Sequence, residues 1–600
     1  MYPKLRRGVL LSCLFAAGFA ATPSRALDGV VFNVGADKDL EATIKGASLT
    51  EAARAEGRTD AQEIFGAAQA DYARILGALY AAGHYSGVIS IKIDGREAAD
   101  ILPLNAPRTI RKVEINVNPG APFKFSRAEA SPLGARTEMP EGFKAGEPAL
   151  SGVIRSAAQA SVDGWRNLGH AKARIADQSL TADHRQALLD ARLRLDPGPE
   201  VRFGKLTFSG QKRMKLYRLN KIAGLTEGEK YSPEELRRAS ERLRRTGVFR
   251  SVALTESERL GPGNTLDIAA QVSEMPLRRL GFGAEATTTE GISLSTTWMH
   301  RNLLGGAERL IVEGALTHIG LDNDNGIDWR LGMALERPAT FTPDTTARLT
   351  LDFERTNDDD ERLDVFEFGF GLIHYYSDSL TLRSDLKYGF NRVTDPAGSR
   401  IYRSLSLPTG ATWDRRDNAF DPKRGFWIDA ELTPFQGFGD TGSGIRAKFD
   451  ARGYKAVGSR VVMAARLQGG YITGSDILDV PRDYLFWSGG GGTVRGYSFR
   501  SLGVRQPGTT TEIGGTEFIS GSLEARTKAT EKIGVVAFAD YGRVTDSLFT
   551  SATEENWHMG AGLGLRYATP VGPIRLDIAT PVAGRDGDGV QFYLGIGQAF

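Results

Sequence analysis

The second half of the chain, from residue 277 onward, alternates apolar and polar positions with a period of two. In the run from Ile574 through Leu576 to Ile578, the apolar side chains share one face, and Arg575 and Asp577 share the other. This alternation is typical of a β-strand between two different surroundings, and turn residues separate segments of about ten residues. The pattern predicts sixteen strands near residues 277–289, 292–299, 308–318, 328–336, 346–354, 366–375, 381–393, 404–414, 427–436, 445–456, 460–471, 517–527, 532–541, 557–567, 574–581 and 591–600. An even number of such strands without a helical layer favours one large closed antiparallel transmembrane β-barrel.

The first half of the chain mixes helical periodicity with short strands, and it repeats. The run that begins at Pro119 resembles the run that begins at Pro197, an offset of 197 − 119 = 78 residues. In each copy a helical stretch is expected to end at a glycine, which favours a left-handed cap. These glycines are Gly83, Gly169 and Gly247. Two short strands follow each glycine, so the pattern predicts an α+β unit of order β-α-α-β-β.

The third copy contains the clearest helix. Ser232 and Glu235 form a capping box around Pro233, which is favoured at the first helical position. The apolar residues of the predicted helix face are Leu236, Ala239 and Leu243. Three such units fill the chain before the barrel. We therefore predict α+β domains at 27–118, 119–197 and 198–276, and a barrel at 277–600.

Residues 1–26 have the composition of a secretory signal peptide. Basic residues precede an apolar stretch at 8–21, and small residues lead to a cleavage site after Ala26. The stretch is too short for a good membrane-spanning helix. A lipoprotein signal at Cys13 is the alternative, although the apolar region before that cysteine is very short. We expect an exported protein.

Composition excludes several classes of function. Removal of residues 1–26 takes away four basic and no acidic residues, which leaves 75 − 4 = 71 basic and 73 acidic residues, a net charge of −2. This balance gives no argument for nucleic acid binding. The single cysteine, Cys13, lies in the removed segment, so disulfides and thiolate metal sites are excluded. No nucleophile–base pair or metal-ligand spacing stands out, and we expect no enzyme activity and no cofactor.

The longest predicted connection, at about 473–516, holds a glycine-rich run at 488–499. Long loops without secondary structure are usually functional or disordered. A phosphate-binding loop is excluded, because no Lys-Ser/Thr follows the glycines and no strand–helix unit surrounds them. The candidate site residues in this run are Val494, Arg495, Gly496 and Tyr497.

A second group of candidate residues lies on a predicted strand near 532–541. Phe538, Asp540 and Gly542 share one face of this strand, and the apolar residues on the other face suit lipid. Asp540 is therefore predicted to point into the barrel, where an inserted Arg495 would pair with it. Gly542 leaves room for close approach, and the Phe538 ring can stack on the guanidinium.

The first and last predicted strands would close the barrel. The last strand carries Phe592, Leu594, Ile596 and the terminal Phe600 in register, and it resembles the assembly signal of outer-membrane barrels. Glycine weakens the interior of a strand. Gly281 and Gly283 in the first strand, with Gly595 and Gly597 in the last, predict a weak seam between the two.

The repeat resembles the polypeptide-transport-associated (POTRA) domain, whose exposed strand edge can accept an extended segment of another chain. The two candidate groups resemble the V-R-G-F/Y and F-x-D-x-G motifs of the barrel superfamily that includes BamA, TamA and the two-partner secretion transporters. In that superfamily the loop folds back into the lumen and its arginine meets the strand motif. A third run, at 414–426, resembles the polar hairpin motif of the same superfamily, and by itself it is a polar turn.

Three repeats and this length look most like the TamA family, the outer-membrane subunits of the translocation and assembly module. The resemblance implies a TamB-like inner-membrane-anchored periplasmic partner, client outer-membrane proteins such as autotransporters, and an outer-membrane barrel with periplasmic POTRA domains. We expect the chain to insert clients through POTRA docking and a lateral seam between its first and last strands. A two-partner-type secretion pore or passive channel is the alternative. The acidic segments at 322–326 and 358–361 are expected to be solvated loops.

Overall fold

The computed structural model describes residues 29–35, 37–287, 291–320, 327–357, 361–396, 398–506, 509, 511–546, 556–569, 573–587 and 589–596. The predicted signal peptide at 1–26, the acidic run at 322–326 and Phe600 lie outside these residues. The chain divides into two compact units, one of residues 1–202 with 230–233 and the other of 203–229 with 234–600.

The first unit begins with a four-stranded sheet covered by three helices. Its elements are β1 (Gly29–Val34), α1 (Lys38–Ala47), α2 (Leu49–Ala55), α3 (Ala61–Ala81), β2 (Val88–Ile93), β3 (Arg96–Glu97) and β4 (Lys112–Asn118), with two short 3-10 helices at Ala98–Asp100 and Pro103–Asn105. The strand order is β1-β4-β2-β3, with β1 parallel to β4. The carboxylates of Asp37 and Asp60 accept hydrogen bonds from backbone N–H groups and so cap α1 and α3.

The same unit contains a second sheet with a single helix. Its elements are β5 (Lys124–Ser131), α4 (Ser151–Asn167), β6 (Arg174–Asp183) and β7 (Leu188–Asp196), in the order β5-β7-β6. The predicted order has two helices here, but Pro132, Pro140 and Pro148 interrupt the segment before α4. The long edge strand β6 pairs with β7 on one side, and most of its side chains are exposed.

The second unit begins with a third sheet, in the order β8-β10-β9. Its elements are β8 (Arg202–Ser209), α5 (Leu216–Ala223), α6 (Pro233–Arg245), β9 (Phe249–Glu256) and β10 (Thr265–Glu274). This unit follows the predicted order, whereas the first domain has one helix more and the second has one helix fewer. Gly83, Gly169 and Gly247 all follow helix ends with a positive φ, as a left-handed cap requires.

A closed antiparallel barrel completes the chain. The wall segments before the longest loop are β11 (Arg278–Thr287), β12 (Gly291–His300), β13 (Arg309–Ile319), β14 (Asp328–Arg337), β15 (Thr345–Asn357), β16 (Arg362–Tyr375), β17 (Leu380–Asp395), β18 (Gly398–Ser406), β19 (Thr409–Asp414), β20 (Arg424–Phe438), β21 (Gly444–Val457) and β22 (Val461–Thr473). The loop itself contains two strands of two residues each, β23 (Val504–Arg505) and β24 (Glu512–Ile513). The wall segments after the loop are β25 (Glu517–Lys528), β26 (Ile533–Thr545), β27 (Trp557–Tyr567), β28 (Ile574–Gly584) and β29 (Gln591–Ile596).

The barrel has sixteen strand positions, which confirms the predicted fold class. The segments β18 and β19 both pair with β17 and β20, so together they occupy one position. The break between them falls at Leu407 and Pro408, where proline removes one backbone donor. We call the end where β10 leads into β11 the near end, and the opposite end the far end.

The two faces of the barrel strands have different surroundings. Leu523, Leu563 and Ile578 are exposed on the outer face, whereas Glu524 and Asp577 are buried on the inner face. This is the alternation expected of a lipid-facing wall around a polar interior. None of the helices in the described part of the chain is both long and apolar enough to cross a bilayer.

The third small domain is fixed to turns at the near end of the barrel. Arg242 in α6 donates to both carboxylate oxygens of Asp344, at 2.7–3.1 Å, and Arg245 donates to the same carboxylate at 2.9 Å. The buried guanidinium of Arg218 donates to the carbonyl oxygens of Gly306 and Pro338. Three arginines therefore join α5 and α6 to two turns of the barrel.

Candidate functional site: the lumen loop and its wall

The loop at 474–516 joins β22 to β25 and packs inside the barrel from the far end. It includes a 3-10 helix at Arg482–Tyr484 and the small β23–β24 sheet. Part of the loop packs on inward-facing wall residues in one apolar cluster, which contains Phe435, Ile472, Val480, Tyr484, Leu485, Phe486 and Ile513. A loop with its own core has a fixed position in the lumen, and we call it the lumen loop.

Arg495 of the lumen loop is 3% exposed and lies against Asp540 of β26. Its Nε atom donates to Asp540 Oδ2 at 2.7 Å, and its Nη2 atom donates to Asp540 Oδ1 at 2.9 Å. The backbone N–H of Arg495 donates to the same carboxylate at 3.1 Å. This bidentate geometry is the strong, directional form of an arginine–carboxylate contact.

Two features of the wall allow this close approach. The Phe538 ring lies under the guanidinium, with 3.5 Å between the Arg495 Cζ atom and the ring centroid. A Cβ atom at Gly542 would contact Ser488, Val494 and His558, and a Cβ at Gly560 would overlap the carbonyl oxygen of Arg495. Glycine on the inner face of β26 and β27 therefore makes room for the loop backbone.

Arg495 also joins a larger network of charges on neighbouring strands. Its Nη1 atom donates to Glu524 at 2.8 Å and to Asp577 at 3.5 Å. Glu524 binds Arg526 on the same strand, and Asp577 binds Arg566. Three carboxylates thus face three guanidiniums, so the buried network is electrically balanced. Loss of any one member leaves an uncompensated buried charge, which is costly.

Two neighbouring residues of the motif are also fixed. The backbone N–H of Gly496 donates to the Tyr593 hydroxyl at 3.0 Å, and the Tyr497 hydroxyl donates to the carbonyl oxygens of Ala583 and Arg585. Gly496 has a φ of +97°, which favours glycine. Val494 and Tyr497 are buried. All four predicted loop residues therefore lie against the wall formed by β26 to β29.

A second hydrogen bond anchors the glycine-rich part of the loop. Ser488 Oγ and His558 Nε2 are 2.7 Å apart, and both residues are buried. This Ser–His pair is enclosed between the loop and β27. We assign it a structural role in holding the loop.

Several residues of the site were missed in the sequence. Glu524 and Asp577 are visible as inward-facing residues in the alternation, but their meeting with Arg495 depends on how the strands close into a ring. Tyr593 alternates with the outward-facing Phe592 and Leu594, so its inward direction was available from the same period. In the described part of the chain, no cluster of His, Cys, Asp or Glu could hold a metal ion.

The seam between β11 and β29 is described only in part, because residues 288–290 and 597–600 lie outside the described residues. The described residues pair only Ala286 with Leu594 and Thr287 with Tyr593, whereas β11 pairs with β12 along its whole length. Arg575 Nη2 and Glu285 Oε1 also form an ion pair at 2.8 Å across the seam. Phe592 and Leu594 are exposed on the outer face. Ile596 ends β29, and the predicted contributions of Gly597 and Phe600 lie outside the described residues.

The polar side chains of the hairpin at 414–426 form hydrogen bonds with other atoms of the same hairpin. Asp414 accepts two hydrogen bonds from the Arg416 guanidinium, at 2.9 and 2.8 Å. Asp417 Oδ1 accepts from the backbone N–H groups of Lys423 and Arg424. The motif therefore fixes the shape of this near-end turn.

Comparison with known families supports the same architecture. The model of the Omp85 superfamily domain matches residues 302–600, and a POTRA model described as a surface antigen variable number repeat matches residues 201–275.

Curated relatives include outer membrane protein assembly factor BamA of Neorickettsia risticii, which is 24% identical over 65% of this chain and 54% of its own length. BamA of Nitratidesulfovibrio vulgaris is 24% identical over 70% of this chain and 56% of its own length. A SAM50-like protein of Schizosaccharomyces pombe is 26% identical over 55% of this chain and 74% of its own length. The chain spans about half the length of the two BamA relatives.

Solved structures share the fold. BamA from Haemophilus ducreyi lacking POTRA domains 1–3 aligns with a TM-score of 0.59 at 16% identity, over 80% of this chain and 100% of that chain. CdiB from Acinetobacter baumannii aligns with a TM-score of 0.51 at 11% identity, over 80% of this chain and 91% of that chain. With the barrel, the small α+β domains and the family matches taken together, the chain belongs to the Omp85 superfamily, as an outer-membrane β-barrel with periplasmic POTRA domains.

Proposed function

We propose that this protein is the outer-membrane component of a translocation and assembly module that inserts client outer-membrane proteins such as autotransporters. It works by templating and without covalent catalysis. The observation that carries the proposal is the small number of residue pairs between β11 and β29 in the described part of the chain. A strand edge that is weakly paired can exchange its partner for a strand of another chain.

Few of the interactions found among the described residues join the two strands of the seam. Its only ion pair in the described residues, Arg575 with Glu285, is partly exposed, and such pairs contribute at most about 1 kcal/mol. Gly595 of β29 and Gly281 and Gly283 of β11 add no side-chain packing. These few interactions among the described residues favour opening at this seam over separation of two strands that pair along their whole length.

The POTRA domains supply a place for clients or a partner to bind. The edge strand β6 is ten residues long and mostly exposed, and its free edge suits β-augmentation by an extended segment. We propose that unfolded clients and a TamB-like inner-membrane-anchored protein bind strand edges of this kind. The clients then pass from these edges to the seam, which lies at the level of outer-membrane lipid.

A reversible lock of the seam tests the proposal. Ala286 and Leu594 are directly opposed, so Ala286→Cys with Leu594→Cys can form a disulfide. The matched control is Ala465→Cys with Leu523→Cys, an Ala–Leu pair opposed between β22 and β25. The assay is insertion of an autotransporter barrel into liposomes that contain the full-length protein.

We expect the oxidised seam lock to abolish insertion, reduction to restore it, and the control pair to have no effect. Full insertion by the locked protein would rule out templating at the seam. If the locked protein still passes a dedicated substrate or a steady ion current, the chain acts as a secretion pore or passive channel.

A further inference from the structure

The lumen loop has a second buried arginine, far along the loop from Arg495. Arg482 is 4% exposed. Its Nε atom donates to Glu361 Oε2 at 2.9 Å, its Nη2 atom lies 3.5 Å from Asp395 Oδ2, and Nη2 also donates to Gln506 Oε1 at 2.9 Å. Glu361 belongs to the acidic segment at 358–361 that we expected to be solvated. The structure corrects this expectation for Glu361, whose side chain is largely buried, and residues 358–360 lie outside the described residues.

Other contacts bring the same part of the loop to the same wall. The Tyr402 hydroxyl of β18 donates to the carbonyl oxygen of Leu478 at 2.9 Å. The Asn391 amide of β17 donates to the carboxylate of Asp483. Arg446 of β21 donates to the carbonyl oxygen of Tyr484 at 2.9 Å. The segment 478–484 is therefore held by several strands.

The two arginines bind walls that face each other. Counting from β11, Glu361 and Asp395 flank the sixth and seventh strand positions, and Asp540 lies on the thirteenth of sixteen. We infer that the lumen loop is a strut anchored at both ends, in which Arg482 is a positioning residue that keeps the far end of the lumen closed to water and ions. This role does not depend on the client-assembly function proposed above.

The charge balance at this second anchor explains why Arg482 is needed. Glu361 and Asp395 approach one guanidinium, and both carboxylates have little contact with solvent. Loss of one member of a buried ion pair is costly, and removal of the Arg482 cation also removes its three side-chain contacts, so the segment 478–484 would leave the wall. The Arg495 anchor lies on other strands and would remain intact.

Single-channel conductance in planar lipid bilayers tests this inference. The variants are Arg482→Glu, and Arg482→Glu with Glu361→Arg, in the full-length protein. We expect the single variant to raise the conductance several-fold and the double variant to return it toward the parent value. The matched control is Arg505→Glu, an exposed arginine of the same loop, which should leave the conductance unchanged.

Each outcome decides the inference. A folded Arg482→Glu barrel with parental conductance would overturn it, and so would an equal increase in Arg505→Glu. Client insertion is measured separately on the seam-lock variants, so failure of the assembly function would not be confused with failure of the strut.

A labelling experiment covers the case in which Arg482→Glu does not fold. Val480 is fully buried two residues before Arg482, and Cys13 is the only natural cysteine. With Val480→Cys as a probe, the milder Arg482→Gln variant should react with a water-soluble thiol reagent about tenfold faster than the parent, because the segment opens locally. Equal labelling rates would contradict the inference.

Discussion

At the scale of single residues, the site depends on the shape of one guanidinium. Arg495 binds Asp540 through two nitrogens and binds Glu524 through a third. A lysine ammonium carries the same charge but lacks the planar arrangement of donors. Charge alone therefore does not explain the site, because the donors must reach strands β25 and β26 at the same time.

Arg495→Lys should destabilise the folded barrel although it keeps the net charge. We expect a loss of about 2 kcal/mol, since buried acceptors lose their donors. The measurement is the urea midpoint of barrel unfolding in lipid vesicles, followed by tryptophan fluorescence. Arg526→Lys is the matched control, because Arg526 binds Glu524 from the same strand and one ammonium can replace that pairing. Equal midpoints for Arg495→Lys and the parent would refute the geometric argument.

At the scale of elements, helix α6 and the turn before β15 form a junction between the third POTRA domain and the barrel. Burial alone would raise the pKa of Asp344, but hydrogen bonds from Arg242 and Arg245 outweigh it and hold the pKa below the usual range. The carboxylate is therefore ionised at neutral pH, and it carries the contact between the two elements.

Asp344→Asn should loosen this junction by about 1–3 kcal/mol, because the buried Arg242 would lose its closest anionic partner and keep only the longer contact with Glu235 at 3.5 Å. Faster proteolysis of α6 would report the change. Asp378→Asn is the control, since its ion pair with Arg237 at 2.9 Å is largely exposed and contributes at most about 1 kcal/mol. Equal cleavage of both variants would argue against the junction.

The lowered pKa of Asp344 also predicts that the stability of this junction depends on pH. A carboxylate with a lowered folded-state pKa stabilises the fold above its unfolded pKa of about 4, and this stability is lost as pH falls through the folded value. Pepsin cleavage of α6 in the parent should therefore rise below about pH 4, whereas Asp344→Asn should lack this step.

At the scale of the whole molecule, one tyrosine connects the lumen loop to the seam. The backbone of Tyr593 pairs with Thr287 across the seam, and its ring is buried inside the barrel. Its hydroxyl accepts from the Gly496 N–H at 3.0 Å and donates to the Tyr497 carbonyl oxygen at 3.3 Å. The loop motif therefore holds the strand that closes the ring.

Tyr593→Phe should make β29 open more often, because the buried N–H of Gly496 loses its acceptor at a cost of about 1–2 kcal/mol. Hydrogen–deuterium exchange of the β29 amides should become about tenfold faster. Tyr388→Phe, on the outer face of β17, is the control and should leave this exchange unchanged. Unaltered exchange in Tyr593→Phe would show that the loop does not restrain the seam.

The local alternation of apolar and polar residues was enough to predict much of the fold. The period-two alternation in the second half predicted the barrel and its sixteen strand positions, and it indicated which side of the strand near 532–541 faces inward. It also placed Asp540 inward, because side-chain direction in a strand alternates with the residue's position. The helix count of the second POTRA domain was less accessible, because prolines ended a segment that the repeat alone suggested would be helical.

The sequence by itself therefore determined the barrel strands and the two motifs that carry Arg495 and Asp540, but not the number of helices in the first two small domains. Only the tertiary structure decided which inward residues meet. Asp577 lies 82 residues from Arg495 along the chain, and Glu361 lies 121 residues from Arg482. Residues so far apart in sequence come into contact only because the strand register and the closure of the barrel bring them together. Alternation is a property of neighbouring residues, whereas the buried charge network, the second anchor and the pairing of the first strand with the last are properties of the closed barrel.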